Sequence, residues 1–355
     1  MSEVSTIKVT KATQSRLAGV ELKNIPFGKV FTDHMLVANY VDGAWQDAEI
    51  LPYQPLTFDP SLAAIHYGQS IFEGIKAYRN VHGEAVIFRP YDNFARFNES
   101  AVRMQMPEVP EEIFIGGMKE LINLDKEWIP NIENHSLYIR PFLFATDTFI
   151  GVRPSATYKF MIILAPSGPY YAKPTRIAVE EKYTRAAPGG VGQAKNAGNY
   201  GGSLKPAEDA RLRGYDQVLW TDAFEHKWLQ EVGTMNVFFV LKDKVVTPSL
   251  EEGTILDGIT RKSAIVVLRE AGFDVEERRI SIDELVDEYK KGNFIEAFGT
   301  GTAATISQIK ELAYKDEHLE FDTENNNKIS SEVSKRLSDI RFGIVEDTHG
   351  WIEKI

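Results

Sequence analysis

The dipeptide Asp42–Gly43 lies between two runs of β-forming residues in the stretch 35–50, and it constrains the fold of this chain most directly. Asp-Gly between such runs is typical of a two-residue hairpin turn, because that turn needs residues that tolerate positive φ. A second hairpin is predicted over residues 75–89, with its turn near His82 and Gly83. The N-terminal half is therefore predicted to contain antiparallel strands.

Helices are predicted in both halves of the chain. Four apolar residues recur at spacings of three and four, as on one helix face: Phe94, Phe97, Ala101 and Met104. Further along, Ser281 and Glu284 form a capping box before an apolar run. Because strands alternate with these helices, the fold class is predicted to be α/β and α+β.

The length of the chain predicts two domains. A chain of 355 residues is too long for one simple core, and domains of roughly 150 residues are the usual size. Proline and glycine are concentrated in residues 167–176, which favours a boundary there. The predicted division is a smaller N-terminal α+β domain at 1–166, a linker at 167–176 and a larger C-terminal domain at 177–355.

The composition excludes several classes of function. The formal net charge of −11 disfavours nucleic acid and anionic membranes as partners. The chain has no cysteine and its seven histidines show no paired spacing, so a metal site is not expected. The polar N-terminus lacks the apolar core of a signal peptide, and no apolar run approaches the ~20 residues that span a bilayer. A cytoplasmic location is therefore expected.

The stretch 189–203 reads GGVGQAKNAGNYGGS and surrounds a single lysine, Lys195, with six glycines. A lysine in such a loop is more often a solvated surface residue. The chemical alternative is an amine that attacks an aldehyde bound closely against the bare backbone. The glycines permit that closeness without requiring it.

Other segments carry groups that suit an anion or a charged ring. Glu231 lies near the end of a predicted strand, where a carboxylate is more often exposed; if buried, it needs a cationic or hydrogen-bonding partner. Arg89 ends another strand, and Ile259 and Thr260 begin a helix whose free N–H groups suit a phosphate. Taken with Lys195 and a nearby tyrosine, Tyr200, these groups suit pyridoxal phosphate, which has an aldehyde, a ring nitrogen and a phosphate.

The chain also resembles the branched-chain amino acid aminotransferases, which are pyridoxal-phosphate enzymes of fold type IV with two domains. The resemblance runs from PFGKVFTDHM at residue 26 to FGIVEDTHGW at residue 342. It is carried by eight ordered blocks: HYGQSIFEGIKAYR, IFRPYDNFARF, LYIRP, AKNAGNY, VLWTD, LQEVGTMN, GITRKS and FGTGTAA. It implies a fold like that of the D-amino acid aminotransferases, with pyridoxal 5′-phosphate bound in the C-terminal domain.

The resemblance also implies a set of site residues. Lys195 resembles the catalytic lysine that binds the cofactor's aldehyde. The other residues that resemble cofactor ligands are Arg89, Arg185, Tyr200, Glu231, Ile259, Thr260 and Thr302. Those that resemble substrate contacts are Phe27, Tyr67, Phe72, Tyr138, Arg140, Thr234 and Ala303. Ile150 and Val152 resemble part of a loop that reaches a neighbouring subunit's site, which implies a homodimer.

The implied reaction is reversible amino transfer from L-leucine, L-isoleucine or L-valine to 2-oxoglutarate. Two alternatives stay open at this point. Another fold type IV enzyme would be a D-amino acid aminotransferase or an aminodeoxychorismate lyase. A non-enzymatic protein that binds a phosphorylated metabolite would keep Arg89 and the helix N-terminus, but would not need a reactive lysine.

Overall fold

The computed structural model describes residues 7–169 and 173–355, and it divides the chain into two compact units. The first unit consists of Met1–Tyr170, Ala194–Ala197 and Ile340–Ile355, and the second consists of Tyr171–Gln193 and Gly198–Asp339. The short segment around Lys195 therefore belongs with the N-terminal part of the chain. Residues 170–172 of the predicted linker lie outside the described residues, and the domain boundaries near 166 and 177 stay a prediction.

The first unit is built on a mainly antiparallel sheet. Its strands up to residue 169 are β1 (Lys8–Val9), β2 (His34–Val41), β3 (Ala44–Trp45), β4 (Glu49–Pro52), β5 (Ser70–Phe72), β6 (Ile75–Arg79), β7 (Ala85–Phe88), β8 (Ser136–Ala145) and β9 (Tyr158–Ser167). Both predicted hairpins are confirmed: β2 pairs with β3, and β6 pairs with β7. At the first turn Asp42 and Gly43 have φ of 53° and 78°, which is the positive-φ pair that a tight hairpin turn requires.

The helices of the first unit cover one core. They are α1 (Ala63–Tyr67), α2 (Pro90–Arg103) and α3 (Gly117–Leu124), with a π-helical turn at Glu112–Gly116 and 3-10 turns at Leu17–Gly19 and Lys126–Trp128. The predicted apolar face of α2 is confirmed, since Phe97 and Ala101 are fully buried. Phe97 packs edge-on against Phe160 of β9 at 5.6 Å between ring centroids, so the helix is fixed on the sheet.

The second unit contains a mixed sheet. Its strands are β10 (Thr175–Val179), β11 (Gln217–Thr221), β12 (Leu229–Val232), β13 (Asn236–Leu241), β14 (Val245–Thr247), β15 (Val275–Glu277), β16 (Phe294–Gly301), β17 (Thr305–Tyr314) and β18 (Glu317–Glu320). Strand β10 runs parallel to β11 and β17, whereas β13 runs antiparallel to β14 and β16. The sheet order along the main path is β12-β11-β10-β17-β16-β13-β14-β15.

The remaining helices are α4 (Ala197–Gly202), α5 (Leu204–Leu212), α6 (Ile259–Glu270), α7 (Ile282–Lys290) and α8 (Lys328–Arg341). The predicted cap of α7 is present, because Ser281 Oγ accepts the Glu284 N–H at 3.1 Å. A last strand, β19 (Ile352–Lys354), pairs antiparallel with β7 and completes the sheet of the first unit. Among the described residues, no helix is long and apolar enough to cross a membrane.

Candidate functional site

Lys195 is held by its backbone on both sides, within the first unit. Its N–H donates to Ser100 Oγ of α2 at 2.9 Å, and its carbonyl accepts the Phe72 N–H of β5 at 3.0 Å. The next residue, Asn196, is 2% exposed and forms an antiparallel bridge with Ile71. The glycine-rich stretch is therefore bonded through its backbone to α2 and β5 at Lys195 and Asn196.

An aromatic wall lies beside this lysine. The Lys195 Nζ is 4.9 Å from the centre of the Phe72 ring, and the Arg140 guanidinium lies 4.7 Å from the same ring. Arg140 Nη2 also donates to the Tyr138 hydroxyl at 3.0 Å, and Tyr138 packs edge-on against Phe27 at 4.9 Å. The structure thus brings five of the predicted site residues into one chain of contacts.

One N–H donor of Arg140 makes no hydrogen bond within the described part of the chain. Its Nε is buried and has no hydrogen-bond partner among residues 7–169 and 173–355. Buried polar atoms are nearly always paired, so this donor is suited to an acidic ligand. Tyr67 lies differently: it ends α1 and is 40% exposed, and its place in the aromatic wall stays a prediction.

Arg89 lies where β7 passes into α2 and is the residue before Pro90. Its φ of 50° is in the left-handed region, which is uncommon for a side chain of this size. The guanidinium forms a two-point bond with Asp92, at 2.9 and 2.8 Å, and lies 5.0 Å from the Trp351 ring centre. The unusual backbone and the Asp92 bond hold the guanidinium in one orientation, with its side chain only 10% exposed.

Glu231 is buried, in contrast to the commoner exposed state of a carboxylate at a strand end. It is 2% exposed, and its Oε2 lies 2.8 Å from Arg185 Nε. Its Oε1 accepts the Leu256 N–H at 2.7 Å and faces Asn236 Nδ2 at 3.5 Å. The guanidinium and the N–H donors compensate the burial of this carboxylate, and such a carboxylate suits binding of a protonated ring nitrogen.

Arg185 has a wider structural role than the sequence predicted. Besides Glu231, it donates from Nη1 to the Thr254 carbonyl at 2.9 Å and to the Gly192 carbonyl at 3.3 Å. A Cβ at Gly192 would lie 2.5 Å from the Thr254 oxygen, so glycine is required there. Arg185 therefore ties the Glu231 carboxylate to the glycine-rich stretch three residues before Lys195.

The N-terminus of α6, in the second unit, is suited to binding an anion. Gly258 precedes the helix, and no side chain among the described residues caps it. Ile259 and Thr260, at the first helical positions, are 4% and 5% exposed. Because the first N–H groups of a helix lack intrahelical partners, they can bind a phosphate. A Cβ at Gly258 would lie 1.9 Å from Asn236 Oδ1, so a larger residue there would have to displace the Asn236 amide.

The other residues predicted to bind the cofactor or the substrate lie in turns and in one short helix of the second unit. Thr302 and Ala303 lie half-buried in the turn between β16 and β17. Thr300, at the end of β16, is 1% exposed and its hydroxyl has no partner among the described residues. Thr234 is exposed in the turn between β12 and β13, and Tyr200 is half-buried in α4. A buried hydroxyl without a partner, next to a predicted phosphate turn, fits a ligand with acceptor oxygens.

Three contributions were missed by sequence reasoning: Ser100, the Arg185–Glu231 pair and the Asn236 amide. Ser100 was the easiest of the three to predict from the sequence, because it lies between Phe97 and Ala101, whose spacing predicted the buried face of α2. A polar residue at a buried position usually has a specific partner.

Among the described residues, no group of histidine, aspartate and glutamate side chains could hold a metal ion.

Comparisons with known proteins show which family this chain is similar to. The model of the amino-transferase class IV family matches residues 70–312, more than half of the chain. A probable branched-chain-amino-acid aminotransferase of Staphylococcus epidermidis is 49% identical over 333 residues, 92% of each protein. Branched-chain-amino-acid aminotransferase 2 of Bacillus subtilis is 46% identical over 354 residues, 99% of this chain and 97% of that protein.

A solved structure gives the same answer for the fold. The branched-chain aminotransferase from the archaeon Thermoproteus uzoniensis, crystallised with norvaline, superposes with a TM-score of 0.75 at 26% identity. The match covers 90% of this chain and 99% of that one, which confirms the predicted fold type. The chain therefore belongs to the class IV aminotransferase family and is a pyridoxal-phosphate-dependent transaminase.

Proposed function

We propose that this transaminase transfers the amino group of L-leucine, L-isoleucine or L-valine to 2-oxoglutarate, giving the branched 2-oxo acids and L-glutamate. One observation carries the proposal: Lys195 lies beside the ring of Phe72, and Arg140 lies on the same ring. An amine, an apolar wall and a guanidinium in one place suit a site that takes both an aliphatic and an acidic side chain. Both relatives described above are named as branched-chain enzymes.

The cofactor, when bound, supplies an aldehyde for the amine and a ring that accepts electrons from the substrate's Cα–H bond. Lys195 would hold the cofactor covalently and then move the proton at Cα as a general base. Glu231, paired with Arg185, would accept a hydrogen bond from the protonated ring nitrogen. Tyr200 would donate to the phenolic oxygen of the ring. In this scheme Lys195 would transfer the proton, and Glu231 and Tyr200 would orient the ring.

The phosphate and the α-carboxylate need separate groups. Arg89, the N–H groups of Ile259 and Thr260, and the hydroxyl of Thr302 would hold the phosphate, which suits the uncapped start of α6. Thr234 and the Ala303 N–H would hold the substrate's α-carboxylate. The buried hydroxyl of Thr300, in β16 just before that turn, has no partner within the described part of the chain and could also serve a ligand.

The side-chain pocket would accept two kinds of substrate. Aromatic faces of Phe27, Phe72 and Tyr138 provide apolar contact for a branched aliphatic chain, and Tyr67 is proposed to join them. The Arg140 guanidinium and the Tyr138 hydroxyl, 3.0 Å apart, would bind the distal carboxylate of glutamate. One pocket could serve both, because the Arg140 guanidinium lies over the Phe72 ring, 4.7 Å from its centre, so charged and apolar groups are adjacent.

We also propose that the enzyme is a cytoplasmic homodimer. Ile150 and Val152 are 68% and 91% exposed, and Phe149 beside them is 46% exposed. A cluster of exposed apolar residues of this kind is typical of a protein interface. Light scattering of the purified protein checks the dimer, which a monomeric mass would contradict.

The decisive experiment is a panel of amino donors with 2-oxoglutarate, measured by glutamate formation. We expect L-leucine, L-isoleucine and L-valine to be converted, and D-alanine not to be. A preference for D-alanine would assign the chain to another fold type IV activity. In a second arm, Arg140→Met should raise the KM for 2-oxoglutarate more than that for L-leucine; equal effects would contradict the role of Arg140.

Covalent labelling separates the enzyme from a simple metabolite binder. The holoenzyme should be yellow, and borohydride reduction followed by peptide mass spectrometry should place the cofactor on Lys195. Lys195→Ala should abolish turnover while the far-ultraviolet circular dichroism stays unchanged. A colourless protein that gains no activity from added pyridoxal phosphate would favour the binder.

A further inference from the structure

The backbone of Lys195 is part of a closed ring in the first unit. Hydrogen bonds, the Phe72–Glu73 peptide bond and one turn of α2 form this ring. Lys195 is bonded to Ser100 through its N–H and to Phe72 through its carbonyl, at 2.9 and 3.0 Å. Glu73, which follows Phe72, accepts a two-point bond from Arg96 at 2.8 and 2.9 Å. Arg96 and Ser100 are one turn apart on α2, so the helix closes the ring.

The ring is buried, which gives each of its members a fixed position. Glu73 is fully buried, Arg96 is 6% exposed and Ser100 is 1% exposed. A two-point guanidinium–carboxylate bond fixes both groups in orientation as well as distance. Glu73 also accepts the Gly74 N–H at 3.0 Å, so its carboxylate links the chain just after β5 to Arg96 of α2.

We propose that Ser100 is a positioning residue for the catalytic amine, with the Glu73–Arg96 pair as its support. Ser100 does not touch the reacting atoms; it sets the point from which the Lys195 side chain reaches out. A lysine that alternates between holding a cofactor and moving a proton must return its amine to the same two places. A fixed Cα leaves only the four carbons of the side chain to move, and the loss of that anchor adds motion of the backbone itself.

The expected consequence is a selective loss of turnover. A displacement of about 1 Å of a catalytic group can lower the rate about 100-fold. In Ser100→Ala, the partly buried Lys195 N–H loses its acceptor, so this segment is expected to shift. We expect kcat to fall about 10- to 100-fold. KM for L-leucine should change much less, because Ser100 bonds the backbone of Lys195, whereas the proposed substrate contacts are made by the side chains of Phe72 and its aromatic neighbours. Ser100→Thr, which keeps the hydroxyl, should recover most of the turnover.

A spectroscopic readout separates positioning from stability. The visible absorption of the holoenzyme without substrate reports the bond between Lys195 and the cofactor, and its dependence on pH should shift in Ser100→Ala. Ser330→Ala is the matched control, since Ser330 is also a fully buried helical serine and accepts a hydrogen bond from Gln308 Nε2 at 3.1 Å. It should leave the absorption and the turnover unchanged even if it lowers the melting temperature.

The inference rests on the proposed role of Lys195, and the two can fail separately. If borohydride does not place the cofactor on Lys195, the proposed function is wrong. If it does, and Ser100→Ala keeps its kcat and its absorption profile, the inference alone is overturned. It is also overturned if Ser330→Ala produces the same changes as Ser100→Ala, or if Ser100→Thr is folded but no better than Ser100→Ala.

Discussion

The buried Arg185–Glu231 pair allows a quantitative prediction about stability. The chain offers a matched comparison, because Arg211 and Glu208 form a pair of the same residue types on the surface. The surface pair is the shorter, at 2.6 Å against 2.8 Å. Its side chains are 66% and 52% exposed, however, whereas those of Arg185 and Glu231 are 5% and 3% exposed. Burial, and not distance, is therefore expected to decide the effect of removing each arginine.

The expected magnitudes follow from what each substitution leaves behind. Arg185→Met strands a buried carboxylate and removes the bonds to the carbonyls of Gly192 and Thr254. Breaking a buried pair in this way costs about 3–5 kcal/mol of unfolding free energy. Arg211→Met leaves the Glu208 carboxylate in water and should have almost no effect on stability.

Urea unfolding of the cofactor-free protein measures both values without the contribution of bound cofactor. A double variant tests the reason, because Arg185→Met with Glu231→Met removes both charges. That double variant should be more stable than Arg185→Met alone, since replacing both members of a buried pair is far less costly than replacing one. Equal losses for Arg185→Met and Arg211→Met, or a double variant less stable than Arg185→Met, would refute the reasoning.

Two further predictions concern local structure in the second unit. Burial alone would raise the pKa of Asp222, but four backbone N–H donors, those of Phe224, Glu225, Lys227 and Trp228, lower it from 3.8 to about 2. The ionised carboxylate therefore stabilises the fold above the unfolded pKa, and this contribution is lost as the pH falls through about 2. Asp222→Asn should lower the unfolding free energy at pH 6, and its difference from wild type should shrink between pH 4 and pH 2 in acid-unfolding curves; a constant difference would contradict this. Ser281→Ala removes the acceptor of the Glu284 N–H and should cost about 1 kcal/mol in thermal or urea unfolding, whereas Ser331→Ala, an exposed change on α8, should have almost no effect.

Local signals predicted the local structure well. The turn at Asp42–Gly43, the apolar face of α2 and the cap at Ser281 each depend on residues a few positions apart, and each is confirmed. The cap of α7 also has a contact that the local sequence pattern does not predict. The Glu284 carboxylate binds Arg278 Nη2 at 2.6 Å, and nothing in the S-x-x-E pattern indicates that partner.

Helix α8 was not predicted, although part of its signal is present. Val333 and Leu337 are fully buried and four residues apart. Four serines lower the helix propensity of the segment, which obscures the period. Its first turn depends on a distant group, because the Glu296 carboxylate of β16 accepts the N–H groups of Ile329 and Ser330 at 3.1 and 2.9 Å. A helix capped from another strand carries no local start signal.

The same distinction holds for the candidate site. The resemblance to a family proposed the roles of Lys195, Glu231 and Arg185, because those roles follow a motif. The partners that fix these groups are far away in sequence: Ser100 is 95 residues from Lys195, and Leu256 is 25 residues from Glu231. No motif or period connects such pairs, so only the folded chain could identify them.

The glycines around Lys195 illustrate how one composition can have several causes. The sequence suggested that they let the backbone approach a ligand. Gly192 is instead required by the protein itself, since a Cβ there would meet the Thr254 carbonyl at 2.5 Å and the Ala186 Cβ at 2.6 Å. A Cβ at Gly201 or Gly202, in contrast, would meet nothing within 4 Å. Close packing thus accounts for glycine at position 192, whereas open space surrounds the Cα of Gly201 and Gly202. Between them, the Lys195 backbone is paired through both its N–H and its carbonyl.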